Sequence, residues 1–525
     1  MNPYDTYTSP LATRNASPEM LKLWSARHKF NTWRRIWLAV AEAQHELGLP
    51  VSKEQVEELR AVVNRPGGIT DAEMQAAEKH ERELRHDVMA HVHALGDSCP
   101  KAKGIIHLGM TSQDVVCNAD LGIIRESIDL IRTKIVRVAL ALADRAKERI
   151  HVPTLGFTHY QPAQPTTVGR RTANWAYDLV LCEDRMSTGY PLPFFRGLRG
   201  ATGTQASFLA LLGSGERVDL LEFGWYRNTE GTVLGETERL PATTRCKEVD
   251  PSYSDSTLAD VVRQRIFALT GQTYPRVYDT FILADLASAA SVLHKIATDI
   301  RLLCNRKELD EPFEDKQIGS SAMPYKRNPM RCERICGLTR FVMNLVGNAY
   351  DTAATQWLER TLDDSSNRRL SLPEAFLALD GSLDLMHNVA SGLVVHEATV
   401  RKNLMAELPF MATENILMAC VKLGGDRQEY HEHIRAHAQA AGLRVKQEGL
   451  DNDLLERLKS DKHFWSAARG GSLSAELDWD GVMDPMKYIG RSVEQTERFI
   501  REVVDPLREQ YGEQIAQLGT SGPKV

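Results

Sequence analysis

Long apolar runs, paired cysteines and a strong charge of one sign are all missing from this 525-residue chain. No 18 consecutive residues are apolar. The best candidate, Phe281 to Cys304, is interrupted by Asp285, His294, Lys295, Asp299 and Arg301, which argues against a membrane span. The opening MNPYDTYTSPLATR has no basic segment followed by an apolar run, so no signal peptide is expected. The closing TSGPKV carries no lipidation motif. The eight cysteines form no CxxC pair, and Cys332 and Cys336, one helical turn apart, read as a reduced pair on a helix. Lysine plus arginine total 64 against 70 acidic residues, a net charge of −6, so there is no global footprint for nucleic acid or an anionic membrane. A cytoplasmic protein with neither kind of partner is expected. Gly197 to Gln205 is glycine-rich but fits neither a dinucleotide fingerprint nor a phosphate loop. Metal signals are weak as well. Glu83, Asp87 and His91 would share a helix face, but at 1.5 Å per residue the outer two are roughly 12 Å apart, too far to hold one ion. His433 and His437 stand four apart without an HExxH motif and read as a solvated helix face. No metal is expected.

With 42% apolar and 26% charged residues, the chain can bury a large core and is no disordered tail. Its strongest pattern is a heptad rhythm. Leu121, Ile124, Ile128, Ile131, Ile135, Val138 and Leu142 alternate spacings of 3 and 4. So do Ile282, Leu286, Ala289, Leu293, Ile296, Ile300 and Leu303. Ile335 to Ala349 and Phe376 to Leu393 repeat it, and Val168, Trp175, Leu179 and Cys182 give a looser version. Seams of this period pack as nearly parallel helices, so five of them predict a long bundle. The first alone would be roughly 33 Å long. Its extended side surface makes oligomerisation a natural expectation. Pro18 to Leu47 reads as one helix, with Trp24, Phe30, Trp33, Trp37 and Val40 on its buried side. Lys53 to Asn64, Thr413 to Leu423 and Arg427 to Glu448 read as further helices. From Gly213 to about Thr257 no period is sustained, which predicts an irregular insertion.

Four segments carry chemistry. Gly319-Ser-Ser-Ala-Met-Pro-Tyr-Lys-Arg-Asn-Pro329 begins with small residues and ends with two cations. Asn328 suits an N-cap and Pro329 a first helical position. A mobile loop feeding a helix N-terminus beside Lys326 would be a receptor for a carboxylate or phosphate. Thr158-His159-Tyr160-Gln161-Pro162 places a histidine, able to pass a proton near neutral pH, between two bundle helices. Thr111-Ser112-Gln113-Asp114 resembles a capping box opening the first long helix. Arg360-Thr-Leu-Asp-Asp-Ser-Ser-Asn-Arg-Arg369 joins three arginines to hydroxyls and an amide, which suits a phosphate, whereas Asp363 and Asp364 suit a self-neutralised surface loop.

Taken together, GSSAMPYKRNP, RHDVMAHVH, HLGMTS, LGFTHYQPAQ, GTQASF, TGQTY, ERTLDDSSNRR and LPFMATEN resemble the fumarase/aspartase superfamily, and within it the adenylosuccinate-cleaving family. The likeness runs from SPLATR to about Leu507, apart from 213–257. It implies an all-α fold of three helical domains, 1–111, 112–395 and 396–525, with the signature loop at 315–329. The central one would be a five-helix bundle that forms a twenty-helix core in a homotetramer, with active sites shared among subunits.

The implied reaction is a cofactor-independent β-elimination. It releases fumarate from adenylosuccinate, giving AMP, and from the succinyl-aminoimidazole-carboxamide ribotide of purine synthesis. By motif position Ser320 would be the base, His159 the acid, and Glu333 would orient His159. Lys326 and Asn328 would hold the succinyl carboxylates beside Thr111 and Ser112, and Thr158 and Gln272 would touch the substrate. Arg14, Arg360, Ser365 and Arg369 would hold the phosphate, with Arg334 nearby. Arg85, His86 and Asp87 would contact the nucleotide. Two positions depart from the family pattern: Asn15 stands where a tyrosine is usual, and Val277 where a lysine is usual. The rival readings are another lyase of the superfamily, such as argininosuccinate lyase, and a helical scaffold that has lost catalysis.

Overall fold

A computed structural model describes residues 5–188, 195–233, 266–314, 316–464 and 477–519. The N-terminal part holds α1 (Pro18–Leu23), α2 (Ala26–Glu46), α3 (Lys53–Val63), α4 (Asp71–Leu84) and α5 (Asp87–Ser98). The single helix expected over Pro18 to Leu47 is therefore two. The Ser25 hydroxyl accepts the His28 N–H at 3.2 Å and starts a new helix there. Trp33, Trp37 and Val40 are buried as expected, while Trp24 and Phe30 are only half-buried. Glu83 and Asp87 do not share a helix face, because Arg85 turns left-handed (φ 55°) between α4 and α5.

All five heptad seams are helices: α6 (Ser112–Glu148), α7 (Val168–Thr188), α10 (Val277–Asn305), α11 (Met330–Ala354) and α12 (Asp363–Ser391). At 37 residues α6 is about 55 Å long. The seam residues of α6, α10 and α12 merge into one buried core with Trp175, Leu179, Ile335 and Val342. Each buried leucine or isoleucine contributes about 1.5–3 kcal/mol, which makes this core the main source of stability. α10 is long and apolar enough by length and composition to cross a membrane, yet Ile282, Leu286, Leu293, Ile296, Ile300 and Leu303 are buried within the bundle. Between α6 and α7 a hairpin pairs β1 (Pro153–Thr158) with β2 (Gln161–Thr167). Its two-residue tip, His159 and Tyr160, has positive φ at both positions, as such tight turns require. The N-terminal arm is tied down where the Ser17 N–H and hydroxyl donate to the buried Asp380 carboxylate of α12 at 2.6 and 3.1 Å. Gly381 allows this approach, since a Cβ there would lie 2.8 Å from the Asn15 backbone.

Between the bundle's second and third helices stand α8 (Ala206–Leu212) and α9 (Gly215–Val233). The irregular insertion expected from residue 213 is thus helical as far as Val233. Its remainder, 234–257, lies outside the described residues, as does Cys246. Val218, Leu221 and Trp225, spaced 3 and 4, are buried against α2, and Arg227 pairs with Glu46 at 2.5 Å. Asp219, Glu222 and Gly224 between them obscure that short stripe in the sequence.

The glycine-rich stretch before α8 is held by buried carboxylates. Asp114, at the start of α6, accepts the Thr111 N–H at 2.7 Å and the N–H groups of Arg199 and Gly200 at 2.9 and 3.0 Å, and pairs with Arg196. Glu222 of α9 accepts the Leu198 N–H at 3.0 Å.

The C-terminal part holds α13 (Glu397–Met411), α14 (Thr413–Lys422), α15 (Arg427–Leu443) and α16 (Leu454–Ser460), followed by α17 (Ser492–Phe499) and α18 (Asp505–Gln517). The helix expected over Arg427 to Glu448 widens into a π turn over Arg444–Glu448.

Burial pushes the Glu222 carboxyl up to about 7, against the opposing pull of Arg199. A carboxyl raised in the folded state keeps its proton after the unfolded chain has lost it, so stability falls as pH rises from the ordinary glutamate range to about 7. Relative to Glu222→Gln, the parent should lose about 3 kcal/mol across that window. Paired denaturation curves at several pH values check this, and a constant difference would refute it.

Candidate functional site

The residues singled out in the sequence gather in three places. The largest group surrounds the starts of α5, α6 and α12. His86 caps α5, its Nδ1 accepting the Met89 N–H at 3.4 Å, and its Nε2 lies 3.3 Å from the Ser112 hydroxyl. Arg85, as the left-handed residue closing α4, directs the chain into this corner. Asp87 binds Arg369 at 2.8 Å. Burial alone would raise the Asp87 carboxyl, but Arg369, the Val88 N–H and Lys29 hold it below the usual range. Gln272 donates its N–H to the Glu359 carbonyl at 3.1 Å, and its side-chain oxygen accepts from Arg360 at 3.0 Å.

A cavity of about 290 Å³ opens here between α2, α6 and α12, lined by Arg360, Ser365 and Arg369 with Lys29, Gln113 and Asp120 among others. The arginine-rich run is not a surface loop. Asp363 opens α12, and Asp364 is buried beneath the cavity, 2.7 Å from Arg276 and 3.3 Å from Arg360. Arg368 is buried too, bound to Asp279 at 2.7 Å and Asp120 at 3.1 Å. All three arginines of the run line the cavity; Arg360 and Arg369 each hold one acid, Asp364 and Asp87, whereas Arg368 holds two. Lys29 was not legible in the sequence, because nothing marks one lysine on an amphipathic helix as facing a cavity. Burial lowers its ammonium pKa, Asp120 opposes this, and Arg369 lowers it further.

The second group lies at the start of α11. The Ser320 hydroxyl accepts the Met323 N–H at 3.2 Å, and Lys326 is exposed. Gly319 lets the loop fold back on itself, since a Cβ there would be 2.3 Å from the Lys326 carbonyl oxygen. Asn328 does not cap the helix. Its amide donates to the Gly319 carbonyl at 2.9 Å and latches the loop, and Pro329 is the cap residue, with helix beginning at Met330. Nor is the helix start a vacant anion receptor, because the Glu311 carboxylate takes the N–H groups of Arg331 and Cys332 at 3.1 and 2.6 Å. Glu333 is exposed on the first turn. Arg334 is lowered by burial and by Arg14, which joins this corner from the N-terminal arm. Asn15 closes that arm's turn by donating to the Pro10 carbonyl at 2.9 Å, and Val277 is 47% exposed at the start of α10.

The third group is Thr158 and His159 at the hairpin tip, both exposed. Within the single chain, among the described residues, no hydrogen bond or ion pair joins Ser320, His159 and the cavity arginines to one another, nor His159 to Glu333.

Against known proteins, the chain matches the family model described as "Lyase" over residues 12–204 and 263–344, and the model "Adenylosuccinate lyase C-terminus" over 409–499. It is 46% identical over 510 residues to the adenylosuccinate lyase of Schizosaccharomyces pombe, covering 96% of each chain. The chain belongs to the adenylosuccinate lyase family. The adenylosuccinate lyase of Saccharomyces cerevisiae is 45% identical over 507 residues, again 96% of each chain. Among solved structures, the 3-carboxy-cis,cis-muconate lactonizing enzyme of Pseudomonas putida superposes with a TM-score of 0.72 at 22% identity, over 96% of this chain and 99% of that one. That likeness shows the fold alone. As a member of the adenylosuccinate lyase family the chain is a lyase, mostly helical with very little sheet.

The cavity chemistry predicts anion binding through exposed guanidinium. Inorganic phosphate should raise the thermal midpoint of the parent in a saturable way. Arg369→Ala should weaken that effect about tenfold, the loss of one charge-assisted contact. Equal protection of both proteins would rule the contact out.

Proposed function

We propose that this chain cleaves adenylosuccinate into AMP and fumarate, and that its three groups of site residues complete one another in a homotetramer. Identity along nearly the whole length to adenylosuccinate lyases carries the first part. The separation of Ser320, His159 and the arginine cavity within one chain supports the second.

The Ser320 oxygen takes the proton from the carbon beside a succinyl carboxylate. The released pair forms the carbon–carbon double bond as the carbon–nitrogen bond breaks, and His159, oriented by Glu333, protonates the departing nitrogen. Serine is a poor base at its ordinary pKa, so the loop must stabilise the alkoxide. Lys326 and closure over the substrate supply that. Charge building on the carboxylate needs fixed donors, which Lys326, Asn328, Thr111 and Ser112 provide. Arg360, Ser365 and Arg369 hold the phosphate, with Arg14 and Arg334 brought from another subunit. Arg85, His86 and Asp87 position the nucleotide, and Thr158 and Gln272 complete the pocket. The succinyl-aminoimidazole-carboxamide ribotide carries the same reacting group and is proposed as a second substrate. Argininosuccinate offers nothing to the arginine cavity, since it has no phosphate. The proposed domains are 1–111, 112–395 and 396–525, with 195–233 riding on the N-terminal core. Among the described residues the cysteines are free, and all but Cys304 are buried, which suits a cytoplasmic setting.

Ser320→Ala should abolish fumarate release while leaving adenylosuccinate binding within a few-fold of the parent. Release by the variant at the parent's rate would remove Ser320 from the base role. Ser320→Ala and His159→Ala subunits, dissociated and reassembled together, should regain part of the activity that each lacks alone. A mixture as silent as its components, yet of full oligomeric size, would place both residues in one chain's site.

A further inference from the structure

At the C-terminal end of the fold three histidines converge on one carboxylate. α15 carries His433 and His437 one turn apart, and the turn after α16 carries Asp461 and His463. The sequence suggests a solvated face for the first pair, but the structure turns that face onto Asp461. His437 Nε2 lies 2.8 Å from Asp461 Oδ2, His433 Nδ1 lies 3.4 Å from the same oxygen, and His463 Nδ1 lies 3.1 Å from Oδ1. The rings of His433 and His463 are stacked with centroids 4.0 Å apart. The turn is also held by contacts other than imidazole nitrogens. Asp461 accepts the His463 N–H at 2.9 Å, and the Tyr430 hydroxyl donates to the His463 carbonyl at 3.1 Å. Phe464 is buried with its ring edge-on to Tyr430.

We propose that His433, Asp461 and His463 bind one divalent transition-metal ion of the zinc class, with His437 positioning the Asp461 carboxylate. One ligand atom from each of the three lies within 4.8 Å of the others. With metal–ligand bonds of about 2.1 Å, tetrahedral ligand atoms stand about 3.4 Å apart, so the site closes on an ion by small side-chain rotations. Two imidazoles and a carboxylate suit zinc, whereas magnesium and calcium call for oxygen ligands. His463 is 54% exposed, which leaves an entry path and a fourth position for water. His437 fills the part of an outer partner that fixes a ligating carboxylate. The ion would clamp α15 to the turn after α16 across a small apolar core, adding its binding energy to folding. None of the four residues belongs to the substrate groups.

The test uses the full chain, stripped by chelator and titrated with Zn²⁺ alone. One Zn²⁺ should bind per chain and raise the thermal midpoint, with fumarate release unchanged. His437→Ala should weaken binding about 10–100-fold, and His433→Ala and His463→Ala by more. Circular dichroism confirms that each variant is folded. Co²⁺ in the parent should give the intense visible bands of a tetrahedral site. Absence of saturable Zn²⁺ binding by the parent would overturn the proposal, as would equal binding by folded His463→Ala. If the variants do not fold, the Co²⁺ spectrum of the parent decides, and the weak bands of a hydrated ion would count against the site.

Discussion

A carboxylate shut away from water must find donors on every side, and the structure around the site rests on one such group. Asp114 sits in the first turn of the longest helix with no exposed surface. It is met by the Thr111, Arg199 and Gly200 N–H groups and by the Arg196 guanidinium. Arg196 in turn donates to the carbonyls of Gly200 and Gly271 at 2.8 and 3.0 Å. One charge thus locks together three stretches distant in sequence, and Thr111, Ser112 and Gln272 lie on or beside them. Stripping a buried pair of one partner costs about 3–5 kcal/mol, because the other charge is left stranded. Glu311 does the same work at the start of α11, where it ties the loop helix to the strand-like segment before it.

These two carboxylates decide how the chain attracts anions. A helix N-terminus is a ready receptor for negative charge. Here the starts of α6 and α11 are both occupied by the protein's own acids. On the proposed reading, recognition of a ligand's charge therefore falls to side chains, to Arg360 and Arg369 over the cavity and to Lys326 on the loop. Beneath them Asp364 pairs with Arg276 and Arg360, and Asp279 and Asp120 pair with Arg368.

The bundle was legible because a buried seam imposes its period on the sequence, and each seam recurs for several turns. The loop, hairpin and arginine segments were legible as ordered strings of residues. Features set by a single contact were not. One serine hydroxyl splits α1 from α2. A stripe of three buried residues defines α9 within a glycine- and glutamate-rich context. Asn328 has the composition of a cap, but the Gly319 carbonyl claims its amide first. His433 and His437 read as solvated until Asp461, more than twenty positions away, is folded against them.

Arg369 is 58% exposed and already holds Asp87. A bare cation gains the whole attraction of an arriving anion, whereas a paired one trades one partner for another and keeps only the difference. On the proposed reading, the phosphate stays on the AMP half when the bond breaks, so its grip is the same before and after reaction and cannot favour the product's departure. On that same reading Asp87 stands beside the guanidinium as a built-in competitor, loosening the grip on substrate and spent nucleotide alike, so that neither is held at the full strength of a bare cation.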